Sequence, residues 1–259
     1  MNKFRMNFVL SSKYIPMIAI PRIVMFLTGL AMLMACEASE GHFTDLNGNE
    51  KSETTKPAGK KYLALGDSYT IGEAVQVNER YPVQLQQKLA GLGVNLESPD
   101  IIARTGWTTD ELTEAIRQAS PASNYHLVTL LIGVNNQYRG RDTAEYRKQF
   151  RDLLDMAVGF AGRETSRVIV VSIPDYAITP FGQSFDPARI SREIDWFNHI
   201  NQQETLRKEV TYVNITPISR EGLAQPELVA RDGLHPSGEM YRRWVELLLP
   251  IAKKILTGN

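Results

Sequence analysis

The sequence predicts a three-layer α/β/α domain built around a parallel sheet of about five strands. From residue 61 onward, short and continuously apolar segments alternate with longer amphipathic ones. Continuous apolar strands are typical of a parallel sheet that is covered on both faces, and their alternation with helices is typical of α/β domains. A chain of 259 residues with 43% hydrophobic and 22% charged residues also fits one globular domain better than a disordered chain or a coiled coil.

Five apolar segments are the predicted strands, and each is bounded by turn-forming or polar residues. They cover residues 62–65, 101–103, 126–132, 168–173 and 210–215.

Helices are predicted between these strands from periodicity and capping residues. They cover residues 81–92, 108–119 and 142–159, a long segment from 186, and a final segment from 237. Thr108 and Glu111 have the spacing of a capping box. Asp186 and Pro187 supply an N-cap and a proline in the first turn, and Ser237 caps the last helix.

The first 35 residues have the features of an export signal. Four basic residues and no acidic one accompany an apolar segment, residues 23–35, that is too short to span a bilayer comfortably. This segment ends at Ala35-Cys36, which resembles the bacterial lipobox. We therefore expect a lipoprotein signal peptide over residues 1–35, a lipidated Cys36 with a flexible tether through residue 60, and a folded domain over residues 61–259.

Two other interpretations of this region remain open, an ordinary cleaved signal followed by a chance cysteine and an uncleaved membrane anchor. The lipoprotein interpretation predicts export to the bacterial cell envelope, with the lipid holding the protein on a membrane at the periplasmic face or the cell surface. Cys36 is the only cysteine, which excludes an intrachain disulfide. We expect a monomer.

Composition and motifs argue against several other functions. The formal net charge is zero, so no global field attracts nucleic acid. The sequence lacks a metal-ligand cluster, a phosphate-binding loop of the Walker type and a dinucleotide fingerprint, and we therefore expect no cofactor and no metal. It also lacks Gly-x-Ser-x-Gly, which argues against the α/β-hydrolase fold.

Polar residues that suit acyl transfer follow several predicted strands, at the edge of the sheet where such domains bind ligands. Ser68 is a candidate nucleophile, His235 a candidate general base, and Asp232 a candidate partner that orients the imidazole. The candidate oxyanion donors are the backbone N–H groups of Ser68 and Gly106 and the side-chain amide of Asn135.

Each of these residues also has a structural interpretation. Ser68 alone suits a helix N-cap and Asn135 a turn. The remaining histidines are His42, in the tether, His126, at the start of a strand, and His199, in a helix. None of the three has a nearby acid in a comparable loop, so we expect them to be structural or exposed.

Taken in order along the chain, these motifs resemble the GDSL, or SGNH, hydrolase family. The resemblance covers about residues 61–257 and rests on Gly66-Asp67-Ser68, Gly106, Gly133-Val134-Asn135 and Asp232 through His235. It implies a flavodoxin-like fold and hydrolysis of esters or thioesters without a cofactor. Tyr69 and Asn136 depart from the family pattern, and Asn136 puts the hydrogen bonding around the site in doubt.

The sequence thus predicts a serine esterase and leaves two substrate classes open. One class is short-acyl esters, such as carbohydrate acetyl groups, and the other is long-chain acyl groups, as in lysophospholipids and thioesters. The alternative is a catalytically silent lipoprotein that binds a glycan or a protein partner. Residues whose roles the sequence leaves open are Tyr69, Trp107, Tyr138, Arg139 and the loop over residues 174–186.

Overall fold

We describe residues 59–258 in a computed structural model of the chain. They contain one sheet of five parallel strands. The strands are β1 (Tyr62–Gly66), β2 (Asp100–Ala103), β3 (Leu127–Leu131), β4 (Val168–Val171) and β5 (Thr211–Val213). Every residue of β1, β3 and β4 is buried, as expected for strands covered on both faces.

The strand order is β2-β1-β3-β4-β5. The chain therefore runs from β1 to β2 on one side and then crosses back to β3 on the other side of β1. Such a reversal opens a crevice at the carboxyl ends of β1 and β3, where ligands bind in sheets of this type. The topology thus confirms the predicted parallel α/β fold and brings the residues after β1, β2 and β3 together.

Nine α-helices lie between or after the strands of the described part of the chain. They are α1 (Ser68–Ile71), α2 (Tyr81–Gly91), α3 (Thr109–Ala119), α4 (Val134–Tyr138), α5 (Thr143–Phe160), α6 (Pro180–Gln183), α7 (Pro187–Arg207), α8 (Thr216–Arg220) and α9 (Gly238–Thr257). Short 3-10 helices cover Val77–Glu79, Thr165–Arg167, Tyr176–Ile178, Glu221–Leu223 and Pro226–Leu228.

The long helices form two groups with the sheet between them. On one side α2 packs against α9, where the Tyr81 ring lies 6.3 Å from the rings of Tyr241 and Trp244. On the other side α5 packs against α3 and α7, and Tyr146 contacts Phe197 with ring centroids 4.5 Å apart. Strand β3 contacts both α9 and α5, which confirms the three-layer arrangement.

The predicted strands and long helices are present with small differences at their ends. Strand β4 stops at Val171 instead of residue 173, because side chains replace the sheet partners there. The backbone N–H and carbonyl of Ile173 bond to the Asn198 amide at 2.8 and 2.9 Å, and Ser172 Oγ accepts the N–H of Ile215 at 2.8 Å.

Four helices of four or five residues, α1, α4, α6 and α8, were not predicted, because so few residues show no periodicity. The expected signal peptide, the lipidated Cys36 and most of the tether lie outside the described residues. Among residues 59–258, no helix is both long and apolar enough to cross a membrane.

Candidate active site

The candidate residues gather at the carboxyl end of the sheet. Ser68 begins α1 directly after β1, Gly106 lies after β2, and Asn135 is in α4 after β3. His235 lies in the loop before α9. Ser68, Gly106, Asn135 and His235 all line one cavity of about 180 Å³.

A sharp turn after β1 presents Ser68. Asp67 caps α1 by accepting the Tyr69 N–H at 3.0 Å, and Gly72 ends the helix in a left-handed conformation with φ 66°. A β-carbon at Gly66 would collide with the carbonyl oxygen of Leu131 and with Thr70, so only glycine fits there. Ser68 is held with 4% of its surface exposed.

The carboxyl group of Asp67 is fully buried next to the nucleophile. Burial removes it from water and raises its pKa to about 7, although hydrogen bonds from the backbone N–H groups of Tyr69 and of Asp67 itself act in the opposite direction. Asp67 Oδ2 is buried and has no hydrogen-bond partner within the described residues. Asp67 therefore titrates near neutral pH.

Asp232 and His235 form a hydrogen-bonded pair within one short loop. His235 Nδ1 lies 2.6 Å from Asp232 Oδ2, and Asp232 Oδ1 accepts the backbone N–H groups of Leu234 and His235, each at 3.0 Å. Gly233 allows the chain to turn back with φ 72°. The pairing predicted from Asp-x-x-His is therefore present in the structure.

The environment of Asp232 favours its charged form. Partial burial alone would raise its pKa, but the hydrogen bonds from the His235 ring and from the His235 and Leu234 backbone outweigh burial and lower the pKa. An ionised carboxylate next to Nδ1 keeps a proton on that nitrogen and leaves Nε2 as the acceptor.

Backbone restraints also hold His235. Its carbonyl accepts the N–H of Ala230 at 2.7 Å, and Val229 pairs with Pro236 in an antiparallel bridge. The Tyr69 ring meets the imidazole edge-on, with centroids 5.8 Å apart. His235 is 8% exposed, so the ring sits in the wall of the cavity and not in bulk water.

The three residues with candidate oxyanion donors, Ser68, Gly106 and Asn135, all line the cavity. The N–H groups of Ser68 and Gly106 have no acceptor within residues 59–258. Gly106 has φ 85°, which glycine adopts without strain. Asn135 Nδ2 donates to the Trp107 carbonyl at 2.9 Å, which fixes the amide and leaves its second hydrogen for a ligand.

Asn136, one of the two departures from the family pattern, joins α4 to the start of α3. Its Oδ1 accepts the Thr109 N–H at 3.1 Å, and its Nδ2 donates to Thr109 Oγ1 at 2.8 Å. Thr109 Oγ1 in turn donates to Gln149 Oε1 at 2.5 Å. An ionised aspartate could not donate to Thr109, so asparagine suits this chain of bonds, and both polar atoms of Asn136 have a partner.

The rest of the cavity wall is mainly apolar and aromatic. Its further residues are Tyr69, Thr105, Val134, Tyr138, Tyr176, Phe181 and Leu234. The sequence left open the roles of Tyr69, Tyr138 and the loop over residues 174–186, and the structure places Tyr69, Tyr138 and, from that loop, Tyr176 and Phe181 at the cavity. It gave no signal for Val134 or Leu234, because an apolar residue beside a catalytic motif has the same pattern as a core residue.

Other candidates lie away from the cavity wall. Trp107 is partly buried and packs against the core. His126 accepts the Lys61 N–H at 3.0 Å, and His199 stacks on Trp196 at the surface. Within residues 59–258, no group of three His, Cys, Asp or Glu side chains is placed to hold a metal ion.

Comparison with known protein families tests the family membership that the motifs indicate. The family model described as "GDSL-like Lipase/Acylhydrolase family" matches residues 64–243. The chain belongs to this GDSL-like family. It is therefore a carboxylic ester hydrolase by class, and the matched residues contain the serine, glycine, asparagine and histidine motifs identified above.

Solved structures share the fold of this GDSL-like hydrolase at low sequence identity. TesA is 18% identical with a TM-score of 0.58, and the match covers 76% of this chain and all of TesA. A psychrotrophic esterase from Pseudoalteromonas, inhibited by monoethylphosphonate in its structure, is 18% identical with a TM-score of 0.56 and coverages of 77% and 100%.

A variant of an acetyl xylan esterase from Geobacillus stearothermophilus is 21% identical with a TM-score of 0.54 and coverages of 75% and 95%. At these identities, the similarities establish the fold of the GDSL-like domain. No curated protein matches its sequence.

Proposed function

We propose that this protein hydrolyses short-acyl carboxylic esters through a covalent acyl-enzyme on Ser68. The observation that carries the proposal is one cavity lined by Ser68, His235 and the residues with the candidate oxyanion donors, with Asp232 Oδ2 at 2.6 Å from His235 Nδ1. These are the groups that acyl transfer needs: a nucleophile, a base, a residue that orients the base, and oxyanion donors.

In the first half of the proposed reaction, Ser68 Oγ attacks the ester carbonyl carbon while His235 Nε2 takes its proton. Asp232 stabilises the imidazolium that forms. The carbonyl oxygen becomes an oxyanion that accepts hydrogen bonds from Ser68 N–H, Gly106 N–H and Asn135. The bond to the alcohol oxygen then breaks, and His235 returns the proton to the departing alcohol.

Hydrolysis of the acyl-enzyme repeats these steps with water. His235 Nε2 takes a proton from water as its oxygen attacks the acyl carbon, and the same three donors bind the second oxyanion. Collapse breaks the bond to Ser68 Oγ, which regains its proton from the imidazolium. The products are a carboxylic acid and the regenerated enzyme.

Cavity size favours a short acyl group. A cavity of about 150 Å³ can hold a molecule the size of benzene, so the 180 Å³ here suits an acyl chain of up to about six carbons. The apolar wall of Val134, Phe181 and Leu234 gives such a chain a favourable surface. A long fatty-acyl chain would extend beyond the cavity.

Aromatic residues at the mouth of the cavity favour a carbohydrate as the alcohol. Tyr138 is 55% exposed and its ring lies 6.1 Å from Phe181, which contacts the 53% exposed Phe185 at 5.1 Å. Exposed aromatic rings suit a sugar, because the C–H groups of a sugar face pack against the apolar face of a ring. The acetyl xylan esterase of the same fold makes an acetylated glycan a reasonable first substrate to test.

We also propose that the protein is exported and lipid-anchored at Cys36. The basic start, the short apolar segment and Ala35-Cys36 support this proposal. The polar tether would let the domain reach substrates near a bacterial membrane surface, with the enzyme acting as a monomer and without a cofactor.

Hydrolysis of p-nitrophenyl esters with two to sixteen acyl carbons tests the function. We expect the highest kcat/KM at six carbons or fewer, complete labelling of Ser68 by a fluorophosphonate, and loss of both activity and labelling in Ser68→Ala. Acetylated xylooligosaccharides and a lysophospholipid then compare the two natural substrate classes. Activity that survives in Ser68→Ala contradicts the acyl-enzyme, and a maximum at twelve or more carbons contradicts the short-acyl proposal.

Phe181→Ala tests whether this cavity binds the acyl chain. Removing the ring enlarges the cavity, so the preferred acyl length should increase. Phe185→Ala is the matched control, because Phe185 contacts Phe181 but does not line the cavity. An unchanged preference in Phe181→Ala, or an equal shift in both variants, would mean that the acyl chain binds elsewhere.

A further inference from the structure

The segment that presents Gly106, residues 105–109, lies between β2 and the first residue of α3, and one turn bond spans Gly106, from the Trp107 N–H to the Arg104 carbonyl at 3.3 Å. We call it the oxyanion loop. Gly106 has no side chain to restrict it, and glycine has the largest conformational freedom of any residue. A donor stabilises an oxyanion well only if its direction is fixed before the charge forms. Because the one turn bond across Gly106 is long, contacts from outside the loop add to its restraint.

Side chains of α4 and of the residue after it provide that restraint. Arg139 Nη2 donates to the Gly106 carbonyl at 2.6 Å, and Asn135 donates to the next carbonyl, that of Trp107. Asn136 holds the end of the loop through its two bonds to Thr109. On the other side of Gly106, Thr105 Oγ1 donates to Glu73.

Arg139 uses both arms of its guanidinium on this loop. While Nη2 binds Gly106, Nη1 lies 3.1 Å from Glu111 Oε1. Glu111 Oε2 accepts the Thr108 N–H at 2.8 Å. Both partners of the ion pair are substantially exposed, so its direct contribution to stability is small. The planar fork instead fixes the distance between Gly106 and the start of α3.

We propose that Arg139 is a positioning residue that holds the Gly106 N–H toward the oxyanion site. This inference rests on the proposed function, because it assumes that Gly106 is an oxyanion donor. Arg139 does not line the cavity, so it acts through the glycine and not on the substrate. The sequence left the role of Arg139 open, and the structure gives it a protein partner 33 residues away in sequence.

Arg139→Ala should lower kcat about ten- to a hundredfold with little change in KM. The expected loss is below the 10²–10³ for removing a donor outright, because the N–H remains and only its direction is released. The affinity for a trifluoromethyl ketone, which forms an oxyanion on Ser68, should fall by the same factor as kcat/KM. Arg139→Lys keeps the charge but lacks the fork, so its loss should be intermediate.

Arg151→Ala is the matched control and should leave kcat and KM unchanged. Arg151 is exposed on α5, and its guanidinium makes no hydrogen bond or ion pair within residues 59–258. Complete fluorophosphonate labelling of Ser68 in every variant would show that the nucleophile and base still work. If wild-type protein neither hydrolyses esters nor accepts the label, the proposed function itself fails.

Two results would overturn the role of Arg139 while leaving the function intact. A raised KM with unchanged kcat would make Arg139 a substrate-binding residue. Unchanged kcat and unchanged ketone affinity would show that the loop is held without it. If Arg139→Ala does not fold by thermal melting, Arg139→Lys decides between these outcomes, since it preserves the charge and most of the side-chain volume.

Discussion

Asp232→Asn is the sharpest test of how the catalytic base is oriented. In the structure the two carboxylate oxygens have different partners, because Oδ2 faces the His235 ring while Oδ1 accepts two backbone N–H groups. An asparagine must keep its oxygen toward those two N–H groups. Its NH₂ group then faces Nδ1 and obliges that nitrogen to accept a hydrogen bond.

The consequence for His235 is the wrong tautomer. With Nδ1 as an acceptor, the proton moves to Nε2, which can no longer take the proton of Ser68. Flipping the amide would place its NH₂ group against two backbone N–H donors and break both of their hydrogen bonds, so the flip does not rescue the enzyme. The equivalent change in serine proteases lowers turnover about 10⁴-fold, or about 5.5 kcal/mol, and we expect a similar loss here.

Asp232→Ala distinguishes tautomer control from simple loss of a contact. Alanine imposes no tautomer, and the backbone bond from Ala230 still holds the His235 carbonyl. We therefore expect a clearly smaller loss for alanine than for asparagine. The assay is steady-state hydrolysis of p-nitrophenyl butyrate, with thermal melting to compare folding. An asparagine variant within tenfold of wild type, or an alanine variant that is worse than asparagine, would refute this reasoning.

Three further predictions follow from the site and the sequence. Asn135→Ala should lower kcat about 10²–10³-fold and change KM less, because two backbone donors remain and the lost contact strengthens only as the oxyanion forms. A change in KM alone would make Asn135 a binding residue. Folding raises the pKa of Asp67 from 3.8 to about 7, so between about pH 4 and pH 7 this carboxyl ionises in the unfolded state before it does in the folded state. The free energy of unfolding therefore falls as pH rises through this window. Asp67→Asn should remove this pH dependence. Urea denaturation should then show the free energy of unfolding of the variant rising relative to wild type across that window, by up to about 4 kcal/mol. A difference that stays constant with pH would contradict the raised pKa. Cys36→Ala should release the protein from the membrane fraction or block its processing, and mass spectrometry that finds an unmodified Cys36 at the mature N-terminus would exclude the lipid anchor.

Much of the fold could be predicted because its signals are local. Strands β1, β3 and β4 are continuous apolar segments, and the capping residues Thr108 and Asp186 begin helices where expected. The chain order of strands and helices then places the residues after β1, β2 and β3 at one edge of the sheet. This explains why Ser68, Gly106 and Asn135 could be grouped from the amino-acid sequence alone.

Other features depend on contacts between distant parts of the chain. Nothing in the local pattern around Arg139 indicates that its guanidinium reaches Gly106, and nothing near Asn136 indicates that its amide binds Thr109. The burial of Asp67, and hence its raised pKa, is likewise a property of the assembled core. Short helices such as α4 form because tertiary contacts hold them, which propensity cannot show.

Asp232 and His235 lie within four consecutive residues and are hydrogen-bonded, so the base and its partner move together. Ser68 belongs to a different part of the domain and follows β1 of the sheet. Any shift of the loop before α9 would carry the imidazole and carboxylate together, so their mutual bond would survive while the position of the imidazole relative to Ser68 changes. During gentle denaturation, the proton shared by Asp232 and His235 should therefore outlast esterase activity, and the two signals would report separately on the loop and on its docking against the sheet.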